Sequence, residues 1–457
     1  MSLSEQTKTT MRVRLDRRTG GPRAPLMAFA ALLVLLSTLI VIAFAQAVDT
    51  WNWVAWAVMP LIAANAIWIS GGAATALLGV LVTPRPQPKP PVQWRPHSKT
   101  AILVTLCGEA PEPMARYLAD VSRALTRKGV ADSTEVFVLS DTAEGAASDR
   151  EEQALASLIA SGQVTYRRRT ERTNKKSGNI SHWFAAHGDG FDFMVVLDAD
   201  SRMTGDSLLH LIWIMETKPR TGLCQAGISL IPGRTRFGRY QRVASRLLAP
   251  TFGQGFAAWS GASGNYWGHN AILRTEAFRA AADLPHLSGP APFGGVILSH
   301  DFIEAAWIRR TGWEVILCPN LKGSAEDAPQ TLQEYFKRDR RWCQGNLQHL
   351  RLLAEPGLHP LSRFHLVCGI FSYLAAPIWL LLLALLSAEL ISVWGFLPVL
   401  SVAAVLLVPK LCALVHAFPR ARTARRRRVI LRAALVELAM STLLAPIIML
   451  RQASFVG

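Results

Sequence analysis

Residues 191–201 read FDFMVVLDADS, and the fold turns on this stretch. Met194 to Leu197 are four apolar residues in a row, the pattern of a strand buried on both faces, which belongs inside an α/β sheet covered by helices. Asp198 and Asp200 follow at once. Open α/β sheets bind ligands beyond the carboxyl ends of their strands, so the two acids fall on the rim of a cleft, one residue apart. Oxygen donors on a rigid rim suit a hard cation, Mg²⁺ or Mn²⁺, which keeps several waters and shares its shell with substrate phosphates. Acids also crowd strand ends as turn formers and helix caps. The metal reading therefore depends on the rest of the chain.

Working outward, the same pattern repeats. Thr100 to Leu106 (TAILVTL) is a buried-strand run ending in Cys107-Gly108-Glu109, and a helical stretch follows over Met114 to Lys128. Thr134 to Leu139 is a second strand, closed by Ser140-Asp141, and Gln163 to Tyr166 a short third. After the central strand come a helix over Gly205 to Thr217 and strands over Leu223 to Ile228 and Trp313 to Leu317. Strands alternating with helices predict an α/β fold with a doubly wound, mostly parallel sheet. Glu109, Asp141 and Asp198 each end a strand, which implies a polar, cation-tolerant cleft on one rim. Tyr166 to Lys176 (YRRRTERTNKK) then leads into Ser177-Gly178-Asn179, which opens a helix at Ile180 to Ala186. A lysine just before such a helix start reaches an anion held by the helix N-terminus, so Lys176 and Asn179 are binding candidates. Arg167 to Arg169 read as a solvated basic loop.

Two further stretches carry chemistry. Tyr266 to Arg274 (YWGHNAILR) precedes a Pro- and Gly-rich loop, Leu287 to Ile297, which delivers Leu298-Ser299-His300-Asp301 to a helix at Phe302 to Arg310. Asp301 is either an N-cap or a base projecting into the cleft. Thr331 to Leu353 forms an amphipathic helix, with Leu332, Phe336, Cys343, Leu347 and Leu350 on one face and Lys337, Arg341, Gln344, Gln348 and Arg351 on the other. Such a helix is expected to lie along a membrane surface. Asp339 falls on its apolar face and needs a partner, an arginine of the sheet domain being the expected one. Thr235 to Trp259, with Arg236, Arg239, Arg242 and Arg246, is a second candidate interfacial helix.

The chain has 457 residues, half of them hydrophobic, and the apolar ones are unevenly spread. Pro25 to Ala47 carries no charge and is long enough to span a hydrocarbon core of about 30 Å. Val54 to Val82 is a second run, joined to the first by a short Trp-rich link, so the pair reads as an anchored hairpin rather than a cleavable signal. Phe364 to Leu386, Leu397 to Phe418 and Ala433 to Leu450 are three further candidate spans. Basic residues before the first span and after the second predict that both flanks are cytoplasmic. The expected divisions are a basic arm (1–24), a membrane hairpin (25–82), a proline-rich linker (83–99), a soluble domain (100–329), an interfacial helix (330–363) and a C-terminal membrane region (364–457). Much of the net charge of +17 lies in the basic arm and in Arg420 to Arg432, and anionic lipid accounts for it better than nucleic acid. The six cysteines are scattered, with no C-x-x-C pair, as free thiols of a cytosolic domain would be.

An acid-ended first strand, an Asp after the second, Lys-x-Gly-Asn, Asp-x-Asp, a late Asp before a helix and Arg-Trp on an amphipathic helix occur here in the order seen in membrane-bound family 2 glycosyltransferases of the cellulose-synthase type. GASGNYWGHNAILR, PHLSGPAPFGGVILSHDFIEAA and YFKRDRRWCQGNLQHLRLL more closely resemble the branch that builds osmoregulated periplasmic glucans. The resemblance implies a GT-A domain that transfers glucose from UDP-glucose to a growing β-glucan, with inversion, at the cytoplasmic face of a bacterial inner membrane. It implies that Glu109 and Asp141 hold the uridine part, Lys176 and Asn179 the diphosphate region, and Asp198 and Asp200 the UDP and its Mg²⁺ or Mn²⁺. Asp301 would be the base toward the acceptor hydroxyl, Arg341 would face the pyrophosphate and Trp342 the acceptor sugar. Arg338 stands where cellulose synthases have Gln, and His300 where they commonly have Glu, which argues against cellulose as product. Family members continue with more membrane segments than the five read here, and a periplasmic partner that processes the glucan is expected. The alternatives are synthesis of another β-linked polysaccharide, or an inactive membrane scaffold or translocation subunit.

Overall fold

The computed structural model describes residues 23–82, 88–282 and 284–456. Nearly all of the basic arm and the first part of the proline-rich linker lie outside these residues. Ten strands follow in chain order: β1 (Thr100–Leu106), β2 (Thr134–Ser140), β3 (Thr165–Arg168), β4 (Phe193–Asp198), β5 (Arg202–Met203), β6 (Thr221–Ala226), β7 (Ser229–Leu230), β8 (Ala271–Arg274), β9 (Glu314–Cys318) and β10 (Ser324–Glu326). Seven of them form one sheet in the order β3-β2-β1-β4-β8-β6-β9, and β5-β10-β7 form a small second sheet. All main-sheet neighbours are parallel except those of β8, which runs antiparallel to both β4 and β6. The α/β, mostly parallel GT-A-type sheet is thus present. Ala271 to Arg274, part of the Tyr266 to Arg274 stretch, is the strand that reverses the sheet.

Both faces of the sheet are covered. Ile102, Val104, Val195 and Leu197 pack with Leu118 of helix Pro111–Arg127 and Leu208 of helix Gly205–Thr217. Ala101, Leu103, Met194 and Val196 point the other way, onto Trp183 of helix Lys175–His187 and Ile303 of helix His300–Arg310. A strand alternates its side chains between faces, which is why β1 and β4 need an unbroken apolar run. Each fully buried Val, Leu or Ile contributes about 1.5–3 kcal/mol. In register, Thr105 lies beside Asp198, and this fixes the first acid of the pair against the end of β1.

Among the described residues five helices are long and apolar enough to cross a membrane: Arg23–Ala47, Trp53–Leu81, Pro360–Ser387, Leu397–Ala417 and Ala424–Val456. They join the sheet domain more intimately than two surface-lying helices would. Helix Arg236–Ser260 crosses Trp53–Leu81 backbone to backbone: a Cβ at Gly79 would stand 1.8 Å from the Thr251 carbonyl oxygen, and one at Gly255 would stand 1.8 Å from that of Thr75. Only glycine admits this approach. Trp259 stacks on Phe29 at 4.5 Å between ring centroids, extending the contact to the first membrane helix.

Helix Leu332–Gln348 also departs from its expected faces. Asp339 is buried and accepts hydrogen bonds from Tyr373 Oη at 3.0 Å and Gln452 Nε2 at 3.2 Å. Its partners come from two membrane-type helices, not from an arginine of the sheet domain. Gln348, expected on the polar face, is fully buried. Its Nε2 donates to the carbonyls of Gly294 and Val296, and its Oε1 accepts the Leu298 N–H at 2.9 Å. This ties the helix to the loop that delivers Asp301.

Candidate active site

The carboxyl ends of β1, β2 and β4 open into a cavity of about 1390 Å³. Glu109, Asp141, Lys176, Asn179, Asp198, Asp200, Asp301, Arg341 and Trp342 all line it. These nine candidate binding and catalytic residues therefore share one surface.

The β2 end is crowded with internal partners. Asp141 is buried and meets Arg169 bidentately, Nε to Oδ1 at 2.5 Å and Nη2 to Oδ2 at 2.7 Å. The basic stretch at Arg167 to Arg169 is thus not a solvated loop: most of it is β3, and Arg169 is buried. Arg167 donates to the Asn179 side-chain oxygen at 2.5 Å and to its carbonyl at 3.0 Å. The Asn179 amide donates to the Leu139 carbonyl at 3.1 Å. The helix carrying Asn179 starts at Lys175, earlier than expected, with Asn174 and Lys175 left-handed at φ 55° and 50°. Gly178 is needed there, since a Cβ would stand 2.2 Å from the Thr173 carbonyl oxygen. Glu109 is exposed, its carboxylate accepting the Cys107 N–H at 2.6 Å.

The β4 end carries charge of the opposite kind of bookkeeping: less of it is matched. Asp198 accepts from Lys176 Nζ and from Thr105 Oγ1, the latter at 3.2 Å. Burial works to raise its pKa, but Lys176 and His269 prevail and hold it at about 2. Asp200 makes no hydrogen bond or ion pair to another described residue. Burial, Asp198 and Glu326 push its pKa up to about 6. A divalent cation would relieve that repulsion. Among the described residues no group of three or more His, Cys, Asp and Glu is set to hold a metal; the oxygen donors at this end of the cavity are the carboxylates of Asp198 and Asp200. That donor set fits a cation completing its shell with phosphate oxygens and water. Lys176 also donates to the Gly268 carbonyl at 2.6 Å, and Gly268 lies against Asp301: a Cβ there would stand 3.5 Å from Asp301 Oδ2. Asp301 sits in the first turn of helix His300–Arg310, after Ser299 at the cap position. It is not the N-cap. Burial lifts its carboxyl above the usual range, with His300 acting the other way.

A model of glycosyl transferase family 2 matches residues 102–281, and one of glycosyl transferase family group 2 matches residues 193–412. The chain carries a family 2 glycosyltransferase domain. It is 43% identical over 332 residues to a Vibrio cholerae protein named glucans biosynthesis glucosyltransferase H, covering 72% of this chain and 46% of that protein. With a Bradyrhizobium diazoefficiens protein of the same name it shares 44% identity over 326 residues, covering 69% and 43% respectively. The chain thus spans about half the length of the curated relatives it matches. A solved mannosyltransferase from Pyrobaculum calidifontis, in complex with GDP-mannose and Mn²⁺, aligns over 84% of this chain and 99% of its own at 16% identity and a TM-score of 0.47.

The glycosyltransferase domain also uses residues that the sequence did not flag. His269 is buried, with Nε2 3.2 Å from Glu326 Oε2 and Nδ1 3.2 Å from Ser201 Oγ. Burial acts to lower its pKa, yet Glu326 and Asp198 raise it overall. Asn270 donates to Ser324 Oγ at 2.8 Å and pins β10 beside it. The one local signal was the GHN run itself, which the sequence placed near chemistry without giving it a role. Arg341 is exposed to the cavity and has no partner among the described residues, whereas Arg338 lies over the Trp342 ring at 4.3 Å.

Proposed function

We propose that this domain is an inverting glucosyltransferase, moving glucose from UDP-glucose to a growing β-linked glucan of the osmoregulated periplasmic type. The observation that supports this most directly is the shared cavity: acid pair, half-buried Asp301, Arg341 and Trp342 all open onto it. On this reading Glu109 and the edge of Asp141 face the uridine. Lys176 and Arg341 face the pyrophosphate, and Asn179 acts by positioning Arg167 and the helix start. Asp198 and Asp200 would hold Mg²⁺ or Mn²⁺, which when bound stabilises negative charge on the departing phosphate. Lys176 and Arg341 add preorganised positive charge where that charge develops.

Asp301 accepts the proton of the attacking acceptor hydroxyl. Burial raises its carboxyl above the usual range, which makes it a better proton acceptor than an ordinary aspartate. Trp342 presents an aromatic face to the apolar side of the acceptor ring. A single displacement at the sugar C1 inverts the anomeric centre, giving a β-linkage from an α-configured donor.

The arginines at 420, 422 and 425–428 are exposed at the ends of two membrane-type helices, which supports a cytoplasmic catalytic domain in a multi-pass inner-membrane protein. The divisions at 83–99, 100–329 and 330–363 then read as linker, GT-A domain and Arg-Trp helix. The lipid bilayer and a periplasmic glucan-processing protein are its proposed partners, with no role for nucleic acid. The test is incorporation of radiolabel by purified membranes from UDP-glucose and from UDP-N-acetylglucosamine, each with and without Mg²⁺ or Mn²⁺. Metal-dependent incorporation of glucose is expected. Incorporation of N-acetylglucosamine instead would make this the synthase of another β-polymer, and incorporation of neither a scaffold.

A further inference from the structure

One carboxylate bridges the acid pair and the Arg-Trp helix. Strand β5 begins two residues after Asp200 and pairs with β10, Ala325 opposite Arg202. Glu326 closes β10. Five residues later Thr331 caps helix Leu332–Gln348, its hydroxyl accepting the Glu334 N–H at 3.1 Å. Glu326 Oε2 lies 3.2 Å from His269 Nε2 and 3.6 Å from Arg338 Nη2. On one side, His269 reaches Ser201 Oγ, which accepts the backbone N–H of Asp198 at 3.1 Å. On the other, the Arg338 guanidinium stacks 4.3 Å over the ring of Trp342.

We propose that Glu326 is a positioning residue for sugar transfer: its carboxylate, shared by His269 and Arg338, fixes the Trp342 ring relative to the acid pair and so sets the acceptor platform against the reacting end of the donor. The inference rests on the acceptor role given to Trp342 above. The physical case is one of order. Trp342 is 38% exposed, and an indole on the surface of a helix would otherwise have to be immobilised when a sugar binds. Arg338 covers one face of the ring and leaves the other for the sugar. Arg338 is itself held because Glu326 neutralises it, and Glu326 is held because β10 is hydrogen-bonded through Asn270. The arginine at 338 thereby acquires a reason: a glutamine there would neither stack as a cation nor pair with Glu326.

The experiment uses the full chain in lipid nanodiscs, as wild type, Glu326→Gln, Arg338→Gln and the double variant. Acceptor KM is read from glucan-primed transfer, and UDP affinity is read by calorimetry in Mn²⁺. Each single variant is expected to raise acceptor KM about tenfold and leave UDP affinity within about twofold. The double variant should be no worse than either single one, because both cut the same chain of contacts. Multiplying effects in the double variant, or UDP affinity falling in step with KM, would overturn the assignment. Amide hydrogen exchange gives a reading that does not depend on transfer. Arg338 to Cys343 should exchange faster in Glu326→Gln while β4 stays protected, and unchanged exchange over 338–343 also overturns it. A wild-type chain that binds UDP yet transfers no sugar would instead remove the transferase reading, leaving the hold of Glu326 on the helix to be judged by exchange.

Discussion

The two ends of the cavity are built from similar residues and treated in opposite ways. At the β2 end every acid is answered from within: Asp141 by Arg169, and Glu151 by Ser140, Thr142 and Tyr166. At the β4 end Asp200 and Arg341 make no hydrogen bond or ion pair to another described residue, and Asp301 is half-buried beside a glycine. Buried polar groups are normally satisfied, so a fully paired cluster shapes a wall, while unmatched charge marks where a ligand's charge belongs. This contrast sorts the candidate residues by what their removal should do.

The largest effect is expected at the unmatched end. Asp301→Asn keeps the shape of the side chain but removes the proton acceptor, and kcat should fall about 10²- to 10⁴-fold. UDP binding, measured by calorimetry with Mn²⁺, should stay within about twofold of wild type. Loss of UDP binding in parallel would make Asp301 part of the frame. The matched end should behave in the reverse manner. Arg169→Met leaves the Asp141 carboxylate buried and uncompensated, which costs about 3 kcal/mol or more. A clear drop in the melting temperature of the purified full chain is the check. If the melting temperature holds and only UDP affinity falls, the Asp141–Arg169 pair belongs to the ligand rather than to the wall.

Asp200→Asn sharpens the contrast because its two consequences have opposite signs. Asp200 is pushed up to about 6 by burial and by its neighbours Asp198 and Glu326, so the neutral amide relieves strain that the metal-free fold carries. Stability should rise, on the order of 1 kcal/mol. The same change removes one metal-facing oxygen, and the Mn²⁺-dependent part of UDP affinity should fall about 10- to 100-fold. Paired measurements of melting temperature and of UDP affinity, with Mn²⁺ and with chelator, separate the two. A variant that melts lower would show Asp200 to be structural.

Much of this could be read in the chain, and what escaped has a common cause. The buried runs of β1, β2 and β4 announce themselves because both faces of the strand are covered, and the acids follow at fixed places after them. The apolar membrane helices are legible for the same reason: composition over many residues reports environment. What local pattern does not carry is pairing at a distance. Arg169 looks like its neighbours in a basic run, and only Asp141, 28 residues away, makes it a buried residue. Glu326 is one acid in an ordinary SAEDAPQ stretch until His269 and Arg338 close on it. The four-residue β8 and the two- and three-residue strands of the small sheet are too short for periodicity to register. Asp339, an acid on an apolar helix face, does need a partner. Its partners, Tyr373 and Gln452, lie on two long apolar helices 34 and 113 residues further along the chain, a distance that local pattern does not bridge.

Asn179 is the residue on which wall and ligand readings meet, and its expected effect on ligand affinity is the smallest. The Lys-x-Gly-Asn resemblance puts it against the nucleotide, but its amide already donates to the Leu139 carbonyl and its side-chain oxygen already accepts from Arg167. An amide with both ends engaged inside the protein has little left for a phosphate. Asn179→Ala should therefore cost about 1–3 kcal/mol of stability by leaving the carbonyl and the guanidinium unmatched. UDP affinity should change by less than about threefold, carried only by the freedom that Arg167 gains. Should the melting temperature hold while UDP affinity falls tenfold, Asn179 would touch the ligand after all, and the line between the two ends of the cavity would have to be drawn between Asn179 and Asp141.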